Sequence, residues 1–152
     1  MKNDSHEIIS DFELALAMRV RYSETDQMKV VYNANYLDWF EVTRTELCRK
    51  WGAAYTEWEE KGIILPVVEA YCRYKHPARY DDEIELWGRI TELKVHSVKF
   101  EYRIKLAPDG LLLAEGWTKQ ACADAEGRLL KKEHGFYLWL NAELEKRAKA
   151  AK

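Results

Sequence analysis

This sequence has no long apolar run. Nothing in its 152 residues approaches the roughly 18 to 20 consecutive apolar residues of a membrane-spanning helix, so no membrane partner is expected. Cysteine is scarce. Cys48, Cys72 and Cys122 are too few and too scattered for a disulfide framework or a zinc site, and they read as reduced, mostly buried thiols of a cytoplasmic protein. Histidine is scarce as well. His6, His76, His96 and His134 show no ligand spacing, so no metal is expected. An excess of either charge is missing too: Lys and Arg number 24 against 26 Asp and Glu, a formal net charge of -2, which gives no global reason to expect a nucleic-acid partner. The first ten residues, MKNDSHEIIS, lack the apolar stretch of a signal peptide. Repeats, linkers and low-complexity segments are absent, which favours one domain over 1–152.

What is present is an ordinary globular composition, 47% hydrophobic and 33% charged, with six Trp, nine Tyr and four Phe for a core or an interface. Residues 1–11 are polar and are expected to stay outside regular structure. Leu14, Leu16, Met18, Val20 and Tyr22 then alternate with small or charged residues, a period of two that predicts a strand with one buried face. Asn33 or Asn35 is placed to cap a helix. Tyr36, Phe40, Leu47 and Trp51 fall near helical spacing, and Gly52 supplies a left-handed stop. A short helix is expected over Thr56–Lys61, with Thr56 and Glu59 at capping-box spacing and Gly62 after it.

Beyond that point the pattern is mainly strand. Residues 63–75 read as a buried strand whose start Pro66 places at an edge or bulge. Ile84, Leu86 and Ile90 alternate. The clearest strand is 97–107, with Val98, Phe100, Tyr102, Ile104 and Leu106 on one face and Lys99, Glu101, Arg103 and Lys105 on the other. Pro108-Asp109-Gly110 turns the chain into LLLAEGWTKQACA, where Gly116 suggests a bulge. A turn at Asp124–Gly127 leads to a short strand near Arg128–Lys132. A helix over 136–150, with a Glu143/Arg147 pair, ends the chain. Strand, long helix, short helix, about four strands and a helix imply an α+β fold, with an antiparallel sheet wrapped around one long helix.

One acid stands apart. In SETDQMKVVYNANYLDWFE, residues 23–41, Asp26 lies in the joint between the first strand and the long helix. There it is a solvated loop residue, a cap or a catalytic group. Three features occur in this order: a first strand ending in Tyr22 before TDQMKVVYNANYLDWFE, then LPVVEAYCRYKHPARYDDEIEL from Leu65, then the Ser97/Phe100/Tyr102 strand. Together they resemble the hotdog-fold acyl-CoA thioesterases, in the 4-hydroxybenzoyl-CoA thioesterase-like, YbgC-like branch. The resemblance covers roughly residues 13–140.

That resemblance implies a five- or six-stranded antiparallel sheet around a long central helix, and two subunits joined edge to edge with the active site between them. It implies a homodimer or homotetramer, and hydrolysis of an acyl-CoA thioester, or of the carrier-protein equivalent, to acid and thiol without a cofactor. Asp26 matches the catalytic carboxylate of the branch, as nucleophile or general base. The chemistry is consistent with this, because an activated thioester needs only such a carboxylate and donors for the developing oxyanion. Asn33 falls at the oxyanion-donor position, where the family uses a backbone N–H. Many relatives carry His in the stretch that here reads Tyr32-Asn33-Ala34-Asn35, so a second acid–base group is missing at that place. The backbone donors of Asn33 and Ala34 remain, with Tyr32 beside the substrate, and the Asn33 side chain alternatively serves as a plain cap.

Glu69 lies in the apolar segment LPVVEAY. Facing inward, it would help position water or the thioester; otherwise it sits on the solvent side of a twisted strand. Leu65, Val67 and Val68 would line the acyl pocket, or belong to the core. Lys94, His96, Ser97 and Lys99 are candidates for the CoA phosphates, or a solvated face. Glu41 and Glu46 are weaker catalytic candidates, and Trp39, Trp58 and Tyr71 would shape a pocket or an interface. One alternative is a hotdog hydratase, disfavoured because no His lies between His6 and His76. The other is a non-catalytic acyl-CoA-binding module, which would have no need of Asp26.

Overall fold

The computed structural model describes residues 5–7, 11–52 and 55–150, with side chains over 11–52 and 58–148. Six strands form one antiparallel sheet: β1 (Ser5–Glu7), β2 (Glu13–Arg19), β4 (Val67–Tyr74), β5 (Glu83–Lys94), β6 (Ser97–Leu106) and β7 (Leu111–Ala121). The order is β5-β6-β7-β4. The outer edge of β5 is shared by β2, which pairs with Glu83–Gly88, and β1, which pairs with Glu92–Lys94. Two short strands, β3 (Ile63–Ile64) and β8 (Ala123–Asp124), pair separately. The helices are α1 (Asn35–Lys50), α2 (Tyr55–Glu60) and α3 (Phe136–Ala150). This is the expected α+β hotdog arrangement. The strand β1 departs from the sequence reading, which keeps residues 1–11 outside regular structure. Three residues pairing through their backbones need no side-chain alternation, so no pattern marks them.

α1 lies on one face of the sheet because its Tyr36, Trp39, Phe40, Thr43 and Leu47 are all buried there. On β6 the alternation is as read, with Val98, Phe100, Tyr102 and Ile104 buried under the helix. The Phe40 ring stacks on Tyr102 at 4.3 Å and 8°. Helix and sheet approach closely because two strand positions carry no side chain. A Cβ on Gly88 would come within 2.8 Å of Thr43 Cγ2, and one on Gly116 within 2.1 Å of the Tyr71 backbone oxygen and 2.8 Å of Phe40 Cε2. Gly116 is therefore not a bulge. It stays in register between Tyr102 and Cys72, and the irregularity falls between Ile104 and Lys105, where the partner steps from Ala114 to Leu112.

Other expectations shift for local reasons. The first strand stops at Arg19, and Tyr22, expected on its buried face, lies exposed in a 3-10 turn over Tyr22–Glu24. The segment expected as one buried strand over 63–75 divides at Leu65 and Pro66, and its long part, β4, is an exposed sheet edge. Residues 128–132 make a single bridge, Ala123 with Leu129, rather than a strand. The turn before it is closed by Asp124 Oδ1, which accepts from the N–H groups of Glu126 and Arg128 at 3.0 and 2.9 Å. Arg147 pairs with Glu13 of β2 rather than Glu143, which takes Lys146 at 3.4 Å. Glu13 also accepts from Trp51 Nε1 at 2.9 Å, so one acid joins β2, the end of α1 and α3. The side chain of Thr56 lies outside the described residues. All three cysteines are free; Cys48 and Cys122 are buried, Cys72 is half-buried, and burial pushes the Cys122 thiol up to about 12. Among the described residues no helix is long and apolar enough to cross a membrane.

Candidate active site

The end of β2 is docked through Val20, whose N–H donates to Asp82 O at 2.9 Å and whose carbonyl accepts from Asp81 N at 3.0 Å. After the 3-10 turn the chain folds into a small hairpin closed by a bridge between Thr25 and Val31. Asp26 heads its turn. Its N–H donates to Val30 O at 2.9 Å, its carbonyl accepts from Lys29 N at 2.9 Å, and its Oδ1 accepts from Met28 N at 2.8 Å. Lys29 takes the left-handed conformation at φ 65° that this turn requires. The carboxylate thus divides its work: Oδ1 holds the turn, while Oδ2 has no hydrogen-bond partner among the described residues and is available to a ligand.

Neither asparagine caps α1 as expected. The N-cap residue is Ala34, and no side chain satisfies the first turn. Asn35, already helical, donates through Nδ2 to Glu24 O at 2.8 Å. Asn33 is exposed and contributes its carbonyl, which accepts from Tyr74 Oη at 3.0 Å and Tyr36 N at 3.3 Å. The N–H groups of Asn33 and Ala34 donate to no acceptor among the described residues. At a helix start, where the dipole is positive, they are available to a developing anion.

Asp26 and Asn33 share a cleft of about 340 Å³ with Tyr36, Tyr74, Lys75 and His76. Its two walls are tied at the base, where Val31 N donates to Ala78 O at 2.8 Å and Ala78 N to Tyr36 Oη at 3.2 Å. Burial raises the Tyr74 and Tyr36 phenols above the usual tyrosine range, so both hydroxyls keep their protons at neutral pH. The His76 ring is held by Nδ1, 3.1 Å from Leu112 O, leaving Nε2 without a protein partner among the described residues. Sequence spacing sets this histidine aside; the fold places it in the cleft with Asp26.

The remaining candidates lie elsewhere in the chain. Tyr32 and Ala34 are exposed beside Asn33. Leu65 is partly buried against the core, whereas Val67 and Val68 are exposed on β4. Glu69 pairs in register with Lys119, next to the Ala70–Thr118 pair whose Thr118 is buried under the helix, so Glu69 lies on the opposite face from α1. Its inward-facing option is thereby removed. Lys94 pairs with Glu92 at 3.4 Å, His96 Nδ1 lies 2.8 Å from Leu130 O, Ser97 opens β6, and Lys99 Nζ sits 4.3 Å from the Trp117 ring centre. These four are at the far end of the sheet. Tyr74 pairs with Ala114, while Val67 pairs with Gln120, the partner of Val98; seven residues of strand separate the two ends, roughly 23 Å. Glu46 pairs with Arg49 on the surface of α1, and Glu41 is exposed. Trp39 and Trp58 are buried, and Tyr71 stacks on Trp117 at 6.2 Å outside the cleft.

The sequence pattern of the family described as Thioesterase-like superfamily matches residues 20–151, a span that contains the whole cleft. The chain belongs to this superfamily. Within it, the chain is 38% identical to YneP of Bacillus subtilis (strain 168) over 109 residues, 72% of this chain and 78% of YneP. It is 33% identical over 107 residues to the acyl-CoA thioester hydrolase YbgC of Escherichia coli O6:H1, 70% of this chain and 79% of YbgC. Among solved thioesterases it superimposes on the DHNA-CoA thioesterase of Staphylococcus aureus with a TM-score of 0.82 at 26% identity, covering 93% of this chain and 95% of that one.

Three residues around this cleft have no site role in the sequence reading: Glu24, Tyr74 and His76. Tyr74 is the most accessible, since it alternates with Ala70 and Cys72 along β4 and so falls on the helix-facing side. Glu24 meets Trp39 across 15 residues and His76 meets Leu112 across 36, contacts that no local pattern signals.

Proposed function

We propose that this chain hydrolyses acyl-CoA thioesters to a free carboxylic acid and CoA. The observation that carries the reading is Oδ2 of Asp26, without a partner among the described residues, in a cleft that Asn33 at the start of α1 also lines. A carboxylate and backbone donors on two sides of one small space are what thioester hydrolysis needs. Asp26 either attacks the carbonyl carbon, releasing the thiolate and leaving an anhydride for water to open, or removes a proton from the attacking water. In both routes the negative oxygen is held by the N–H groups of Asn33 and Ala34. The names of relatives such as YbgC support the reaction. The test is thiol release across short, long and aromatic acyl-CoAs; the absence of release from every one, with CoA esters still bound, would favour the binding-module reading. Product analysis answers the hydratase alternative, which His76 in the cleft makes worth excluding by experiment.

The site is completed by a second copy. Among the described residues β4 pairs on one side only, with β7, and its edge carries exposed Val67, Val68, Tyr71 and Tyr74, a surface suited to strand pairing. Antiparallel pairing of two such edges about a two-fold axis sets the Val67 end of one copy beside the Tyr74 end of the other. Leu65, Val67 and Val68, followed by the basic turn at Lys94–Lys99, then approach the other copy's Asp26, although they lie far from their own. Light scattering is expected to give a dimer or a larger even assembly; a monomer that turns over normally would overturn the shared site.

Tyr74 connects this edge to the oxyanion donors. Its hydroxyl bonds the Asn33 carbonyl, the other end of the peptide that carries the Ala34 N–H, and a hydrogen bond at one end of a peptide strengthens donation at the other. Tyr74→Phe removes one oxygen and keeps the ring against Tyr36. Its expected effect is a loss of about fivefold to tenfold in kcat with KM nearly constant, on the scale of about 1 to 1.5 kcal/mol for one hydrogen bond. Steady-state kinetics of the folded variant measure it.

A further inference from the structure

The geometry points to Glu24 as a positioning residue that sets the catalytic carboxylate of Asp26 against the start of α1. The inference rests on Asp26 being the carboxylate that acts on the thioester. Glu24 is the only carboxylate residue among the buried polar side chains described, at 7% exposure. It has local bonds to Arg21, from Glu24 N to Arg21 O at 3.0 Å and from Arg21 Nε to Oε1 at 3.5 Å, and others that reach across the site. Oε1 accepts from Arg21 N at 2.8 Å, on the strand side, and Oε2 from Trp39 Nε1 at 2.8 Å, one turn inside α1. Its main-chain oxygen accepts from Tyr32 N at 2.9 Å and from Asn35 Nδ2 at 2.8 Å. Asp26 follows two residues later, and Asn33 and Ala34 lie between Tyr32 and Asn35. The side chain therefore ties the turn before Asp26 to α1, and the main-chain oxygen of the same residue ties that turn to the segment carrying Asn33 and Ala34.

A buried, hydrogen-bonded acid is an inefficient means of stabilising a fold, because its desolvation offsets what its partners return. What it does supply is a single geometry: two oxygens at fixed separation, each taken by a different element. Small misplacement in such a site has a large kinetic consequence, since a shift of about 1 Å can lower a rate about a hundredfold. Glu24 touches no reacting atom and acts only through the placement of Asp26 relative to the start of α1.

The test is a double-mutant cycle in the full-length protein. Glu24→Gln keeps the shape and can accept only one of the two N–H groups, because its amide nitrogen is a donor. With circular dichroism and oligomeric state unchanged, kcat is expected to fall about tenfold to a hundredfold while KM changes less than about twofold. In an Asp26→Asn background the same change is expected to have no further effect, since the residue it positions is already gone. Should Glu24→Gln not fold, the cycle is run with Trp39→Phe, which removes the Nε1 donor to Glu24 Oε2; a smaller loss that again vanishes in Asp26→Asn supports the inference. Losses that multiply with Asp26→Asn, or unchanged kcat in a folded Glu24→Gln, overturn it and leave the reading of Asp26 standing. Normal turnover by Asp26→Asn beside an impaired Glu24→Gln overturns both together.

Discussion

Asp26→Asn is expected to lower thioester hydrolysis by at least about a hundredfold, the scale of losing a positioned acid–base group, with no measurable change in fold. The structure makes this substitution unusually clean. The two oxygens of the Asp26 carboxylate are separately placed, and asparagine keeps the structural one: its amide oxygen can still accept from Met28 N, the 2.8 Å bond that closes the turn. What it cannot supply is a charged oxygen at the place of Oδ2, either to attack the thioester or to take a proton from water. Thiol release under saturating substrate, with circular dichroism and light scattering on the same sample, gives the answer. Turnover near that of the unaltered protein would end the catalytic assignment. If the unaltered protein binds acyl-CoA and releases no thiol, Asp26 is a turn residue in a binding module.

Gly116→Ala is expected to be the most damaging single methyl in the sheet. The added carbon would stand 2.1 Å from the Tyr71 backbone oxygen and 2.8 Å from Phe40 Cε2. The Phe40 ring can turn aside, but the backbone of β4 can move only as a strand, and Gly116 lies in register between Tyr102 and Cys72. Overpacking commonly costs about 1 to 3 kcal/mol, and a main-chain obstacle belongs at the upper end or beyond it. For a chain of this size about 3 kcal/mol corresponds to a fall in Tm on the order of 10 °C. Scanning calorimetry checks the stability. Because the displaced strand carries Tyr74 and forms the proposed pairing edge, activity and assembly should fall together. An Ala variant with unchanged Tm would mean that β4 is free to shift, and close packing would then no longer account for a glycine at this position.

Much of the fold is legible because it follows from local periodicity. The alternation along 97–106 names its own buried face, and the spacing of Tyr36, Phe40 and Leu47 does so for α1. The apolar residues of 63–75 suggest burial, yet β4 is exposed in the single chain. Apolarity reports that a surface is to be covered, not what covers it, and an edge strand awaiting a partner has the composition of a core strand. The caps depart from expectation for a similar reason. Asn33 and Asn35 have the right chemistry and the right place for a cap, but the Asn35 side chain donates to Glu24 O, eleven residues back, and Asn33 takes part through its main-chain carbonyl, which accepts from Tyr74.

For the site, the sequence by itself determined that an acid stands in the joint between a strand and a helix, and that the helix begins there. Asp26 lies in a short stretch, and hairpin, turn and helix start are set by neighbours within about ten residues. Only the tertiary structure decided how that acid is used. It places Oδ1 in the turn and leaves Oδ2 without a partner among the described residues, seats His76 and Tyr74 in the same cleft, and buries Glu24 between Arg21 and Trp39. It also sends Glu69 to the far face and Lys94–Lys99 to the far end of the sheet. The physical reason is the range of the forces involved. Periodicity and turn chemistry act between residues a few positions apart and leave a mark in the order of the sequence. Hydrogen bonds across a cleft depend on how strands are ordered in a sheet, and that order is set by the packing of the whole domain.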